Sequence, residues 1–181
     1  MKLMIASDIH GSAYYCEALF AAFGREQPDR LILLGDLLYH GPRNDLPRDY
    51  APKSVAALLN AHAGQILCVR GNCEAEVDQM MLEFPVLSDS CLIFADDRTM
   101  FATHGHIYHE AKHPPLTRGD VLLSGHTHIP KSTVVNGIIC LNPGSVSIPK
   151  EGSTHSYMLY ENNIFLWKDM EGAVYKTLEL E

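Results

Sequence analysis

Three apolar runs, KLMIA at 2–6, RLILL at 30–34 and QILCV at 65–69, each break off into a polar loop followed by a helical pattern. None of the runs alternates, which is the pattern of strands buried on both faces. Strand, loop and helix in repetition give a mainly parallel sheet. Ser12 is placed to cap a helix reaching about Glu26, with Ala18, Leu19, Ala22 and Phe23 at helical spacing and Pro28 and Asp29 ending it. The stretch 37–52 holds Pro42, Pro47 and Pro52 and reads as a long loop, a length usually kept for function. A helix is predicted over 53–63, with Gly64 at its C-terminal end. In a sheet of this kind ligands sit beyond the carboxyl ends of the strands, so the residues that follow each run matter most.

The rhythm changes after residue 74. A short helix is predicted over 75–84, then a hairpin of 90–95 and 99–103 turning at 96–98. A second polar loop, 107–120, leads to the run at 121–124. Asn136-Gly137 joins strands at 132–135 and 138–141, the strongest short hairpin signal. After the turn NPGS at 142–145, antiparallel strands are predicted at 157–160, 164–167 and 174–180. There is no linker and no low-complexity segment, and the whole of 1–181 reads as one domain.

At 181 residues, 46% of them apolar, the chain suffices for one well-buried core. A net charge of −8 argues against extended nucleic-acid binding but leaves room for a small phosphate substrate at a local metal centre. The five cysteines are scattered, with no CxxC pair, which excludes a thiolate zinc site and fits a reducing compartment. The N-terminus lacks the length and cleavage site of a signal peptide, and no run approaches the ~20 apolar residues of a membrane span. The expectation is a cytoplasmic protein. The tail strands are open to pairing between subunits as a homo-oligomer.

Collecting the polar residues after each run gives Asp8, His10, Asp36, Asn72, His104, His126 and His128. His126 and His128 stand in GHTH, where i and i+2 on a strand project to one side. Seven donors in five loops exceed one tetrahedral site and suit two metals sharing a carboxylate, as in two-metal hydrolases. Two divalent cations outweigh two carboxylates and a hydroxide, leaving a net positive pocket for an anionic ester. Metal-bound water has its pKa lowered to about 7, so a metal-bound hydroxide is the expected nucleophile and no protein nucleophile is needed. Cys73, His106, Glu74, Arg43 and Arg70 lie close by in sequence. His40, His62, His109, His113 and His155 read as solvated, and Cys68 and Cys140 as small core residues.

The series D-x-H-G, G-D, G-N-x-E, T-H-G-H and G-H-T-H, from Asp8 to the NPGS turn, resembles the calcineurin-like metallophosphoesterases. The short chain, GNC and NPGS are similar to a compact phosphodiesterase subfamily. The resemblance implies an α/β fold, a four-layer αββα sandwich of two mixed β-sheets flanked by helices. It also implies a dinuclear centre: Asp8, His10 and His128 on one metal, Asn72, His104 and His126 on the other, Asp36 bridging. It implies two divalent ions, manganese first with nickel, iron or zinc as alternatives, and substrate contacts from Asn72, Cys73 and His106. Cys73 stands where many members carry a histidine. The implied activity is hydrolysis of a small phosphodiester; a phosphomonoesterase or nucleotidase of the same fold, or a non-catalytic scaffold, are the alternatives.

Overall fold

The computed structural model describes residues 1–180. Strands β1 (Leu3–Ala6), β2 (Arg30–Leu33) and β3 (Ile66–Cys68) run parallel, side by side, as the three apolar runs require. Between them lie α1 (Ala13–Glu26) and α2 (Pro52–Asn60), with α3 (Glu76–Met81) following β3. Strands β4 (Ser90–Ala95), β5 (Arg98–Thr103), β6 (Val121–Leu123), β7 (Lys131–Val135) and β8 (Ile138–Asn142) form a second, five-stranded mixed sheet. The chain then returns. Strands β9 (Ser156–Glu161), β10 (Ile164–Asp169) and β11 (Val174–Glu179) extend the first sheet antiparallel from β1, giving the order β11-β10-β9-β1-β2-β3.

The two faces of the parallel strands feed two cores. Met4, Ala6, Leu31 and Leu33 pack under Cys16, Leu19 and Phe23 of α1 and Val55 and Leu59 of α2. Leu3, Ile5 and Ile32 face Ile93, Met100, Val121, Leu123 and Leu141 of the second sheet. This two-sided burial is what removes polar alternation from the runs. Trp167 of β10 is fully buried between the sheets and donates its indole N–H to the Asn142 carbonyl at 2.7 Å, tying one sheet to the end of the other.

The sandwich of two mixed sheets is as expected, and its two outer layers differ in kind. Helices cover the six-stranded sheet, whereas Leu116 of the 104–120 loop packs against Phe101, Leu122 and Ile138 on the outer face of the five-stranded sheet. Gly64 is not the end of α2: Ala61 caps it in a right-handed conformation, and Gly64 sits inside a single 3-10 turn, 63–65. His62 and His155 are only partly exposed. They stack on Phe20 and Tyr15 at 4.3 and 3.8 Å between ring centres. Cys68 and Cys140 are buried as expected.

Candidate metal centre

All the predicted donors follow strand ends on one edge of the sandwich. Five of them, Asp8, His10, Asp36, His126 and His128, adopt left-handed backbone, with φ between 50° and 66°. Asp and His tolerate this region better than most residues, but it is costly and is tolerated only where the surroundings fix it. Here they do. The loop after β1 is laced to the loop after β2 by Asp8 N–H to Gly35 O and His10 N–H to Asp36 O. The hydroxyls of Ser145 and Ser147 both donate to the Asp8 carbonyl, so the NPGS turn holds the first loop from the other side. Asn142 donates from its amide to Gly125 O and Thr127 Oγ1, fixing the GHTH loop. A Cβ at Gly125 would collide with Ser7 Oγ. His126 and His128 lie beyond the end of β6, so left-handed turns aim them, not the strand pleat expected from their spacing.

Three imidazoles are held the same way. The Nδ1–H groups of His10, His104 and His128 donate to the carbonyls of Tyr39 (2.8 Å), Leu34 (2.6 Å) and Ile148 (2.7 Å). A carbonyl only accepts, so the proton is on Nδ1 and each Nε2 is turned inward. There they meet other acceptors. His10 Nε2 lies 3.3 Å from His128 Nε2, and His128 Nε2 lies 3.2 Å from Asp8 Oδ1. Asp8 Oδ1 is buried and takes no hydrogen bond. On the other side His104 Nε2 lies 3.0 Å from Asn72 Oδ1 and 3.2 Å from His126 Nδ1. Asp36 Oδ2 stands between the two groups, 3.6 Å from His10 Nε2 and 3.5 Å from His104 Nε2.

Lone pairs facing lone pairs in a buried site require a cation, either a proton on each imidazole or a metal ion. The titration behaviour follows. Burial opposes charge at Asp8, yet the imidazoles of His10 and His128, with the charge of His104, hold its carboxyl well below the usual range. Burial likewise opposes charge at His10, and Asp8 outweighs it to raise the imidazole. A hard-to-borderline divalent ion with N/O ligands fits this donor set, and the backbone carbonyls on the far nitrogens are the usual orienting partners of metal-bound histidine.

All seven predicted donors converge here. Glu74 is the anchor behind them. Buried, it accepts the backbone N–H groups of Asp36, Leu37 and Gly71. Burial, then the charge of Asp36, raise its carboxyl to about 7 despite those bonds. Asp36 Oδ1 in turn accepts the Cys73 N–H at 2.9 Å. A cleft of about 40 Å³ opens over the cluster, lined by Arg43, Asn72, Cys73 and Lys150. Lys150 is missed by sequence reasoning, since a lysine after a proline in a distant loop carries no motif. His106 lies against His104 and His126, and burial, then His104, push its imidazole pKa down. Arg70 does not line the cleft.

The profile of the calcineurin-like phosphoesterase superfamily domain matches residues 1–163. The chain belongs to that superfamily. This calcineurin-like phosphoesterase is 46% identical over 164 residues to phosphodiesterase YfcE of Escherichia coli K12, covering 91% of this chain and 89% of the relative. It is 33% identical over 99 residues, about half of each chain, to a probable metallophosphoesterase, YsnB, of Bacillus subtilis. Among solved structures, YfcE, a phosphoesterase from E. coli, superposes with a TM-score of 0.97 at 41% identity over the whole of both chains. Vps29 of Entamoeba histolytica, solved with zinc, shares the fold at a TM-score of 0.64 and 19% identity over 98% of each chain. The phosphoesterase fold and its metal-dependent hydrolytic chemistry therefore belong to this chain. Among the described residues no helix is long and apolar enough to cross a membrane.

Proposed function

We propose that this chain is a dinuclear, metal-dependent phosphodiesterase acting on a small phosphodiester. In this reading Asp8, His10 and His128 hold one ion, Asn72, His104 and His126 the other, and Asp36 bridges them. The observation that carries it is the position of Asp36 Oδ2, within 3.6 Å of imidazole nitrogens from both groups. The 46% identity to a protein named a phosphodiesterase supports the diester over the monoester. The complete donor set argues against a scaffold role. Divalent ions in such a centre supply Lewis acidity and a water of low pKa, and manganese is the first candidate among metals that these N/O ligands accept. A cytoplasmic location belongs to the same reading.

The chain's own groups then have defined tasks. Arg43 and Lys150 line the cleft, and among the described residues neither has an ion pair, so they offer positive charge to the phosphate in a chain that is acidic overall. Asn72 and Cys73 border the same cleft, joined by the Asn72 amide donating to Cys73 Sγ at 3.3 Å. Burial, then Asp36, push the Cys73 thiol up, so it is a protonated neighbour of the phosphate and not a nucleophile.

The test is metal stoichiometry by elemental analysis alongside hydrolysis of bis(p-nitrophenyl) phosphate with manganese and with a chelator. Wild-type protein should bind two ions and turn over only when loaded. Asp36→Ala should lose both ions and all turnover. An Asp36→Ala protein that stays fully active would overturn the assignment.

A further inference from the structure

The two open sheets have edges at β3, β11, β4 and β7. An edge strand offers unpaired N–H and C=O groups to any other chain, and folded proteins blunt it with shortness, charge or a bulge. Here β3 has only three residues, β7 carries Lys131, and β11 carries Lys176 and Glu179 and is bulged against β10. β4 is left bare. Its six residues, Ser90–Ala95, include no charge, proline or glycine. Ile93 and Ala95 are buried between the sheets, while Leu92 and Phe94 project from the outer face, 52% and 68% exposed. Leu92 sits opposite Phe101 of β5, whose ring meets Tyr108 at 5.7 Å, so the outer face is apolar right up to this edge. The backbone is as ready as the side chains. Asp96 and Asp97 both have positive φ, and a two-residue turn of that kind makes the flanking Ala95–Arg98 pair hydrogen-bonded. Bonded pairs alternate along the ladder, so Ile93 and Cys91 also turn their amides to β5. Ser90, Leu92 and Phe94 turn theirs to the open edge. Among the described residues no strand lies there.

We infer that β4 pairs antiparallel with β4 of a second copy of this chain, about a two-fold axis at Leu92, and so joins two five-stranded sheets into one. The edge is complementary to itself. In this register Leu92 lies against the partner subunit's Leu92, and Phe94 lies beside the partner's Ser90 and diagonal to the partner's Leu92, within reach of an aromatic ring. The amides and carbonyls of Ser90, Leu92 and Phe94 all find partners. Outward residues stay outward in both sheets, so the apolar strip runs unbroken across the axis. The flanking Asp89 falls opposite the partner's Ala95 and not opposite another acid. Two copies at −8 each repel at most approaches, and this uncharged strip is where they can meet. A contact of this kind uses the same patch twice and closes on itself, so the product is a dimer and not a fibre. Ser90 pairs with Thr103 next to His104, so it marks the end of β4 nearest the metal centre. Antiparallel pairing then points the two centres in opposite directions and leaves both clefts open. One strand a side is a small interface, so the dimer is a reversible one.

Sedimentation equilibrium on the whole chain tests this. Wild-type protein, followed up to about 300 µM, should show a monomer–dimer equilibrium with Kd on the order of 1–100 µM. Leu92→Lys sets like charges opposite one another across the axis and should weaken the dimer at least about tenfold. Val134→Lys, an exposed change at the β7 edge, should leave it unaltered. Leu92→Glu should dissociate as Leu92→Lys does. The two variants mixed should then associate at least about tenfold more tightly than either alone, because the axis brings position 92 of one copy onto position 92 of the other. Recovery in the mixture also shows that each variant is folded. Wild-type protein that stays monomeric throughout overturns the inference and leaves the edge to a strand of another protein. A dimer that Leu92→Lys does not weaken, or one that Val134→Lys weakens as much, overturns the assignment to β4. A mixture no tighter than the separate variants overturns the pairing about Leu92.

Discussion

His126 and His128 are two residues apart and face different groups of donors. His128 Nε2 lies against Asp8 and His10, whereas His126 Nδ1 lies against His104. The two should therefore fail differently. His128→Ala is expected to lose one metal equivalent and His126→Ala the other, read by elemental analysis together with the spectrum of cobalt-substituted protein. Equal loss of both ions from each variant would contradict the division. Glu74 acts one step further back, through the backbone of Asp36. Glu74→Gln keeps the size but turns an amide N–H toward groups that already donate, and should weaken metal binding about 10–100-fold, the usual cost of losing such a support. At Cys73, whose neutral thiol is a weak donor, Cys73→His should raise turnover on a diester or broaden the range of esters accepted. Unchanged kinetics in the metal-replete variant would remove this position from the chemistry. The donors were legible in the sequence because each is a side chain of recognisable type after an apolar run. The carbonyls of Tyr39, Leu34 and Ile148 were not, because any residue has a carbonyl and only the fold decides where it points.

Each element carries a local signal where its stability is local. Ser12 caps α1, its Oγ accepting the Tyr15 N–H at 3.3 Å, as its position before the helical pattern suggests. Asp96-Asp97 and Asn136-Gly137 turn their hairpins with φ positive at both residues, the conformation that two-residue hairpins demand. Gly64 misled because a second signal competes: the chain enters a 3-10 turn at 63–65 before β3, and the glycine has no capping role there. The far end of α1 is held by a non-local cluster invisible to any window. Glu26 accepts from Tyr157 of β9 at 2.9 Å and from Lys168 of β10, and Lys2 lies 3.8 Å away. Burial alone would raise the Glu26 carboxyl. The hydrogen bonds from Lys168 and Tyr157 outweigh it, with help from the charges of Lys168 and Lys2, and hold the carboxyl below its ordinary 4.5. Because the folded pKa is the lower one, the stabilisation is full above about 4.5 and is lost as pH falls through the folded value. Glu26→Gln should cost roughly 1.5–3 kcal/mol at pH 7, the range for hydrogen bonds to a charged group, and the difference from wild type should close in acid. Chemical denaturation at pH 7 and pH 3, followed by the single tryptophan, measures it.

At the scale of the molecule the site is a junction, and this links metal binding to stability. Its donors come from loops after β1, β2, β3, β5 and β6, so both sheets contribute. The joining of β9–β11 to the first sheet, 150 residues after β1, leaves no trace in local pattern. It nonetheless closes the sandwich and brings Trp167 onto Asn142, whose amide fixes the GHTH loop. The buried carboxylates and inward nitrogens that bind cations in the folded chain are scattered in the unfolded one. Ions therefore bind the native state preferentially and stabilise it by mass action, about 2.7 kcal/mol per site at a hundredfold excess over Kd. For a chain of this size roughly 2–4 °C of melting temperature accompanies each kcal/mol. Manganese at that excess should raise the melting temperature of chelator-stripped protein by about 5–10 °C if one site fills and by about twice that if two do. The gain should grow with the logarithm of metal concentration. Asp36→Ala, lacking the shared oxygen, should show little of this gain while unfolding in a single transition like the stripped wild type. A full metal-dependent shift in Asp36→Ala would mean that the ions bind without a bridge between the two groups, and the dinuclear reading would have to give way to independent sites.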